Sequence, residues 1–531
     1  MRKYAIVVHR GEIARWYVEC VDRLSADKNC ELDAIFLSSE TTVASPKKAR
    51  KPAVAVPELQ LIDVADLPPV QQIPCETNDE GDLRTVQGTS YFAELEFVLD
   101  FTGRVTNVWF TPSYGVWSFL YQRPLACWEI LKGESVLRAY LAKFAGQQQL
   151  ILREGRFKTL SYTATAAVRQ IVREFIGWPS AAITAQDIGS LLAPLAICVS
   201  EERKWTTIDS LKLAAKAMLY SFKERARRFF CHEQWNLGIV AAPIQDFLSA
   251  RTVTADWLPC QKNDDFLADP FGLSDDKRGA ILCEDFNYRR GHGTIKCLEL
   301  DEDLHVVRKS TIFDFEPAHL SYPYVFEFDD SIFCVPEMHQ LGRIDLYCLS
   351  RFPTEWTKLG TILENFAAID STLFAFNGLW WLFCTNEERG SNLCLFAFYA
   401  PTPKGPWQPH PLNPIKTDIC SARPAGTPFI HEGNLFRPSQ DCSETYGGAI
   451  VVNKIEVLDG TSFREQHFIR IAPIAGPYDK GIHTVAKLGN RCVVDGKRYV
   501  FSPGGSLRTL KQYAARWLPL PRKNHTIPHR D

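Results

Sequence analysis

The sequence predicts a multidomain α/β plus all-β chain: a Rossmann-like first part, then a five-bladed β-propeller. Three observations predict it. The chain opens on a strand–helix–strand unit. The texture changes at Trp235, where strands shorten, aromatics rise and turn dipeptides recur. Beyond that point one theme repeats five times: a polar residue, a strand, a turn, and a second strand ending on polar groups. Its members are ADPFGLSDDKRGAILCED, SYPYVFEFDDSIFCVPE, IDSTLFAFNGLWWLFCTNE, ARPAGTPFIHEGNLFRPSQD and IHTVAKLGNRCVVDGKRYVF. Their anchors Asp269, Tyr322, Asp370, Arg423 and His483 recur at about 50 to 60 residues, the period of a propeller blade stretched by loops.

In the first part, Tyr4–Val8 reads as a buried strand. Gly11–Leu24 carries Ile13, Ala14, Tyr17, Val18 and Val21 at helical spacing, and Leu32–Leu37 is a second strand. Ser45–Val56 reads as a surface loop and Phe97–Phe101 as a further strand. Leu125–Lys132 and Thr163–Phe175 read as helices. Residues 1–200 are thus one α/β domain. Residues 203–230 form a linking amphipathic helix with an apolar stripe through Ile208, Leu211, Leu213, Ala214, Met218, Leu219 and Phe222. The stripe fits packing between two domains, the favoured reading, or attachment to an anionic membrane surface. Residues 235–510 form the propeller. Asp329-Asp330, Asn377-Gly378, Glu432-Gly433 and Asp495-Gly496 each read as hairpin turns, and Trp235–Val240 is expected to close the ring against the last blade. Residues 511–531 are a basic tail.

Composition sets bounds. Among 531 residues, 46% are hydrophobic and 23% charged, with a net charge of −2. That balance suits large cores and offers no nucleic-acid footprint. Sixteen cysteines include no CxxC pair, which reads as reduced thiols packed as small hydrophobes. The first apolar run is too short for a signal peptide and no run reaches a membrane span. The expectation is a cytoplasmic protein with at most peripheral membrane contact.

A propeller aims the first residues of its inner strands at a central funnel. Here they are Asp, Tyr, Asp, Arg and His, poor packing residues and good binders of a polyol. Glycosyl chemistry needs one carboxylate at the anomeric carbon or the acceptor hydroxyl and commonly a second carboxyl at the leaving oxygen. Asp269 and Asp370 open inner strands, and Glu337 follows Pro336 at a strand end. These three are the catalytic candidates, with Glu337 as the acid. Each has a plainer reading: an Asx-type turn, a cap-like bond, or a rim ion pair. Glu284, Asp285, Tyr322, Arg423, Arg437, Gln440, Asp441, Tyr446 and His483 are the substrate-binding candidates, the two arginines suited to a diphosphate or an acidic sugar. With no second His at ligand spacing, no metal is expected, and no cofactor is.

The stretches FLADPFG, HLSYPYVFE, IDSTLF, PHPLNPIKTDICSARPAGTPF and LFRPSQDCSETYGGAI resemble the N-terminal domain of plant glucosamine inositolphosphorylceramide transferases, itself similar to five-bladed glycoside hydrolases of families 43 and 32. By that likeness Asp269 would be base or nucleophile. The opening βαβ unit, LDFTGR, YGVWSF and LILREGRFKT resemble the methionyl-tRNA and sugar formyltransferases. That family uses an Asn, a His and an Asp around the formyl group. Here Ser118-Phe119-Leu120-Tyr121 supplies no His and Ala145-Gly146-Gln147-Gln148 no Asp, so the likeness implies a retained fold without formyl chemistry. Three functions stand open: a glycosyltransferase taking a nucleotide sugar and a glycan or glycolipid acceptor, a glycoside hydrolase, or a sugar-binding scaffold.

Overall fold

A computed structural model describes residues 1–9, 12–28, 30–38, 60–63, 70–78, 81–85, 94–145, 148–159, 164–187, 193–194, 205–249, 253–260, 262, 264–274 and 278–501. The loop at 45–56, the tail at 511–531 and the Gly146-Gln147 pair lie outside them.

In the first part, strand Arg2–His9 runs parallel to Cys30–Ser38 on one side and to Phe97–Asp100 on the other. Gln71–Thr77 and Val116–Leu120 extend the parallel set outward. Strand Arg2–His9 is buried on both faces through its middle, which is why it reads as a continuous apolar run rather than an alternation. Helix α1 is Arg15–Lys28, α2 Cys127–Lys132 and α3 Ala164–Asp187. Helix α1 starts later than its periodicity suggests, because Glu12–Ala14 pairs as a short strand with Leu61–Asp63. Trp16, Cys20, Val21 and Leu24 of α1 meet Phe175 and Trp178 of α3 in one core with Phe119. The sheet turns antiparallel at Val136–Ala145 and Gln148–Lys158.

The second part is propeller-like. Four separate four-stranded antiparallel sheets are present among the described residues. The first meander spans Asp265–Ser274 to Val306–Phe313, the second Ser321–Phe328 to Glu355–Glu364, and the fourth Phe429–His431 to Phe463–Ile471. The closing sheet joins the two ends of this part, with Cys231–Val240 paired along its length to Arg491–Phe501. A third meander, Ala368–Phe376, Leu379–Asn386 and Cys394–Ala400, continues through Lys416–Asp418 into strand Gln148–Lys158 of the first part. The two parts therefore share main-chain hydrogen bonds. Arg389 adds a fork across the seam, each Glu174 oxygen lying 3.0 Å from its Nη2.

Three of the four expected turns form as read. Both central residues have positive φ at Asp329-Asp330, Asn377-Gly378 and Glu432-Gly433, as a tight hairpin requires. Asp495-Gly496 is a correction, because it lies inside strand Arg491–Phe501. Gly496 serves contact there, since a Cβ would stand 2.3 Å from the Trp257 ring.

Candidate functional site

The same irregularity occurs in the first strand of three successive meanders. The ladder slips between Ala268 and Phe271, between Ser321 and Tyr324, and between Ile369 and Thr372. Each slip is a bulge that re-aims a side chain. The residues in the slips are Asp269, Tyr322 and Asp370, with φ of 51°, 39° and 51°. A left-handed non-glycine costs about 1–3 kcal/mol and persists only where its surroundings enforce it. Carboxylates of the preceding sheets do so here. Asp269 N donates to Asp495 Oδ2 at 3.2 Å, Tyr322 N to Asp269 Oδ2 at 3.3 Å, and Asp370 N to Glu337 Oε2 at 3.0 Å. The funnel acids thus hold neighbouring sheets in register, and one oxygen of each is spent doing so.

On the far side the ring is closed by glycine. Gly426 has φ 118° and donates its N–H to Tyr322 Oη at 2.8 Å. A Cβ there would sit 1.8 Å from Val485 O. Gly426→Ala is expected to cost at least about 2 kcal/mol of stability, read as a lower urea midpoint. An unchanged midpoint would contradict this packing.

The remaining side chains complete a buried charge network. Arg423 grips Asp370, with Nε 2.5 Å from Oδ2 and Nη2 3.1 Å from Oδ1. Gln440 Nε2 donates to the same Oδ2 at 2.8 Å. Tyr446 lies under the guanidinium at 5.0 Å. His483 stacks on Trp235, its Nδ1 2.5 Å from Asp495 Oδ2 and its Nε2 3.5 Å from Asp269 Oδ1. Thr484 Oγ1 donates to Asp269 Oδ1 at 2.9 Å.

Protons distribute unevenly in this network. Burial pulls Arg423 down, but Asp370 outweighs it and holds the guanidinium charged. Burial raises Glu337, yet the His339 hydrogen bond, Arg423 and the Asp370 N–H bring it down to about 2. Burial also raises Asp269, opposed by His483 and reinforced by Asp495. Glu284 is raised as well. It has no fixed cation; burial, then Asp269 and Glu337, push it well above the usual carboxyl range. The Nε2 of His319 lies 3.6 Å from its Oε1. His319 Nδ1 accepts from Gly293 N at 2.9 Å, and burial lowers this ring's pKa. The neutral tautomer therefore carries its proton on Nε2, toward Glu284. Like charges crowded in one site favour the protonated form of some of them; burial raises Asp370 well above the usual carboxyl range too, opposed by Arg423, whereas Glu284 has no such arginine against it.

Asp269, Glu284, Tyr322, Glu337, Asp370, Arg423, Gln440, Tyr446 and His483 therefore stand in one funnel. Asp285, Arg437 and Asp441 do not, which corrects their expected placement. Asp285 pairs outward with Arg290 and Lys296. Arg437 is consumed by Glu465 and the Ser421 carbonyl. Asp441 binds Ser443 and the half-exposed Arg470. Strand alternation explains all three: Asp285 and Asp441 neighbour Glu284 and Gln440, and Arg437 lies three residues from Gln440, so each faces the other way. Asp495, His319, His339, Thr372 and Thr484 also belong to the site and were not read from the sequence. Asp495 was hidden by its Asp-Gly turn signature. Asp269, His483 and Asp495 offer ligand atoms within 4.8 Å of one another, the sole such group among the described residues. All three already serve the ion-pair network, which accounts for them without a cation. A cavity of about 640 Å³ lies elsewhere, at the seam between the two parts, beside Arg153, Glu174, Arg389 and Glu465.

The fold and site define a propeller-like protein with an acid-rich, arginine-clamped funnel. Residues 235–473 match the family model described as glucosamine inositolphosphorylceramide transferase 1, N-terminal. Over 155 residues the chain is 42% identical to glucosamine inositolphosphorylceramide transferase 1 of Oryza sativa subsp. japonica, covering 28% of this chain and 21% of that protein. The Arabidopsis thaliana protein of the same name is 37% identical over 155 residues, 28% of this chain and 20% of its own. The chain thus spans about a fifth of the length of these relatives. Among solved structures, a family 117 glycoside hydrolase from Zobellia galactanivorans aligns at 11% identity and TM-score 0.34, covering 51% of this chain and 90% of that one. The catalytic domain of a GH62 α-L-arabinofuranosidase from Coprinopsis cinerea aligns at 12% and 0.34, covering 50% and 86%.

The expectation of a cytoplasmic protein is overturned. The relatives are transferases named for inositolphosphorylceramide, a membrane lipid. Among the described residues no helix is long and apolar enough to cross a membrane.

Proposed function

We propose that the chain is a glycosyltransferase of glycan or glycolipid biosynthesis whose chemistry lies in the propeller funnel. The observation that carries the proposal is the split in proton affinity between neighbouring acids. Glu284 is pushed well up while Glu337 is held at about 2. Paired carboxyl groups driven apart in this way are how one site runs acid and base steps together. In the reaction we infer, the bond from the anomeric carbon to the leaving oxygen breaks, and Glu284 supplies the proton that oxygen needs. The acceptor hydroxyl forms the new bond and its proton passes to Asp269. Glu337, held ionised, is assigned to support Asp370 and to stabilise positive charge at the anomeric centre. This replaces Glu337 with Glu284 as the acid. Asp370, Gln440, Arg423 and Tyr446 position the donor, the guanidinium matching a phosphate or acidic sugar.

The third meander is taken as the fifth blade, because its strand order and bulge repeat those of the first two. The first part is taken as a formyltransferase-like fold without formyl chemistry. Its Ser118 hydroxyl is engaged with Asp100 and the Val105 carbonyl, a packing role. Hydrolysis is the second reading, since the same acid and base would serve a water acceptor without any nucleotide.

The test is incubation of the full chain with a nucleotide-sugar panel, with and without glycolipid acceptors, alongside aryl glycosides. Nucleotide release coupled to glycosylated acceptor is expected. Cleavage of aryl glycosides alone would move the reading to hydrolase, and glycan binding with no turnover would sink both.

A further inference from the structure

Helix α4, Thr207–Phe230, is amphipathic, but it faces the opposite way from a helix packed between domains. Its polar half is turned inward together with Leu213, which packs against the core. Asp209 is buried in a capping box with Thr206, Lys216 donates to Leu131 O at 3.1 Å, and Arg227 pairs with Glu224 and lies over Tyr499. The apolar half is turned outward: Ile208, Leu211, Met218, Leu219 and Phe222 are 63% to 73% exposed. Of the stripe, Leu213 packs against the core, and these five residues are left uncovered among the described residues.

Charge says what covers it. Exposed Lys212, Lys223 and Arg225 flank the stripe, while both acids of the helix, Asp209 and Glu224, lie on its inner side. A second copy docked face to face would oppose like charges. Residues 502–531 carry six Lys and Arg against one Asp and complement these flanks no better. An anionic bilayer complements both the apolar stripe and its basic borders.

Position says why it would be there. Strand Arg491–Phe501 passes Val494, opposite Val485 beside the funnel residue His483, and ends at Phe501 opposite Cys231. The inner strand Val485–Leu488 begins beside His483, so this outer end lies toward the end of the sheet at which that anchor residue stands. Phe230 and Phe501 stack there with ring centroids 6.3 Å apart, 48% and 65% exposed. We propose that α4 and this phenylalanine pair dock on an anionic membrane surface, with the His483 end of the closing sheet toward the docked side. The docking stands on the helix alone; its use in presenting a lipid-borne acceptor rests on the transferase reading.

The test is co-sedimentation of the full chain with vesicles containing neither sugar nor inositol lipids, so that its outcome is independent of activity. Binding to phosphatidylcholine/phosphatidylserine vesicles is expected, weakened by salt and at least about tenfold weaker on pure phosphatidylcholine. Met218→Glu/Phe222→Glu should lower the anionic binding at least about tenfold with the melting temperature unchanged. No binding by the wild type, equal binding to neutral vesicles, or undiminished binding by the double variant would overturn the proposal. So would a solution dimer that this variant disperses.

Discussion

Replacing Arg423 with alanine is expected to cost about 3–5 kcal/mol of folding stability, the effect of stranding one partner of a buried ion pair. The guanidinium holds both oxygens of Asp370, reaches Asn392 at 3.0 Å and covers Tyr446. Its side chain is 11% exposed and that of Asp370 1%, so water cannot replace what is removed. The diagnostic variant is Arg423→Met/Asp370→Asn, which removes both charges and keeps most of the volume. It should regain at least half of the loss, since a buried pair as a whole contributes little net stability while a broken one is costly. Urea denaturation checks both. Equal losses in the single and double variants would show that packing, rather than charge pairing, governs this site.

The second large effect is on rate. Glu284→Gln is expected to lower turnover by about 10²–10⁴-fold, the range for loss of a positioned acid, and to remove the alkaline limb of the pH profile. Its effect on stability has the opposite sign. The folded chain raises the Glu284 pKa well above its usual 4.5. The stability this group contributes is therefore complete below 4.5 and lost as pH rises through the folded value. Glutamine carries no such penalty, so the variant should match or exceed the wild type in melting temperature at pH 7 and above. A variant that loses rate and stability together would show Glu284 to be a structural brace. Glu337 behaves inversely. Held at about 2, it contributes stability above its usual 4.5 that fades as pH falls toward 2.

The fold was legible where local pattern and burial agree. The bilaterally buried strand Arg2–His9, the hairpin turns with two positive-φ residues and the closing strand Cys231–Val240 follow from apolar runs and turn chemistry. The funnel's anchors were legible because a propeller repeats one position per blade, and Asp, Tyr, Asp, Arg and His at that position contradict packing. What failed was everything set by the exact face of a strand. Asp285 and Asp441 each lie one residue from a correct choice and Arg437 three from Gln440, and an odd step in a strand reverses the side chain. Asp495 failed for another reason: its Asp-Gly pair has the local chemistry of a turn, but Gly496 is demanded by the Trp257 ring. The outward apolar face of α4 was also beyond the sequence, because periodicity gives the stripe and says nothing about its partner.

The account places the chemistry at Asp269, between the His483 ring, the Thr484 hydroxyl and the Tyr322 amide. The most direct measurement is turnover of the full chain carrying Asp269→Asn, with melting temperature followed in parallel. The asparagine carbonyl can still accept from the Tyr322 N–H while its amide donates to the Thr484 hydroxyl, but it cannot take a proton. The account predicts a fall of at least about 10²-fold in rate with folding retained. Turnover at the wild-type rate in the folded variant would contradict it.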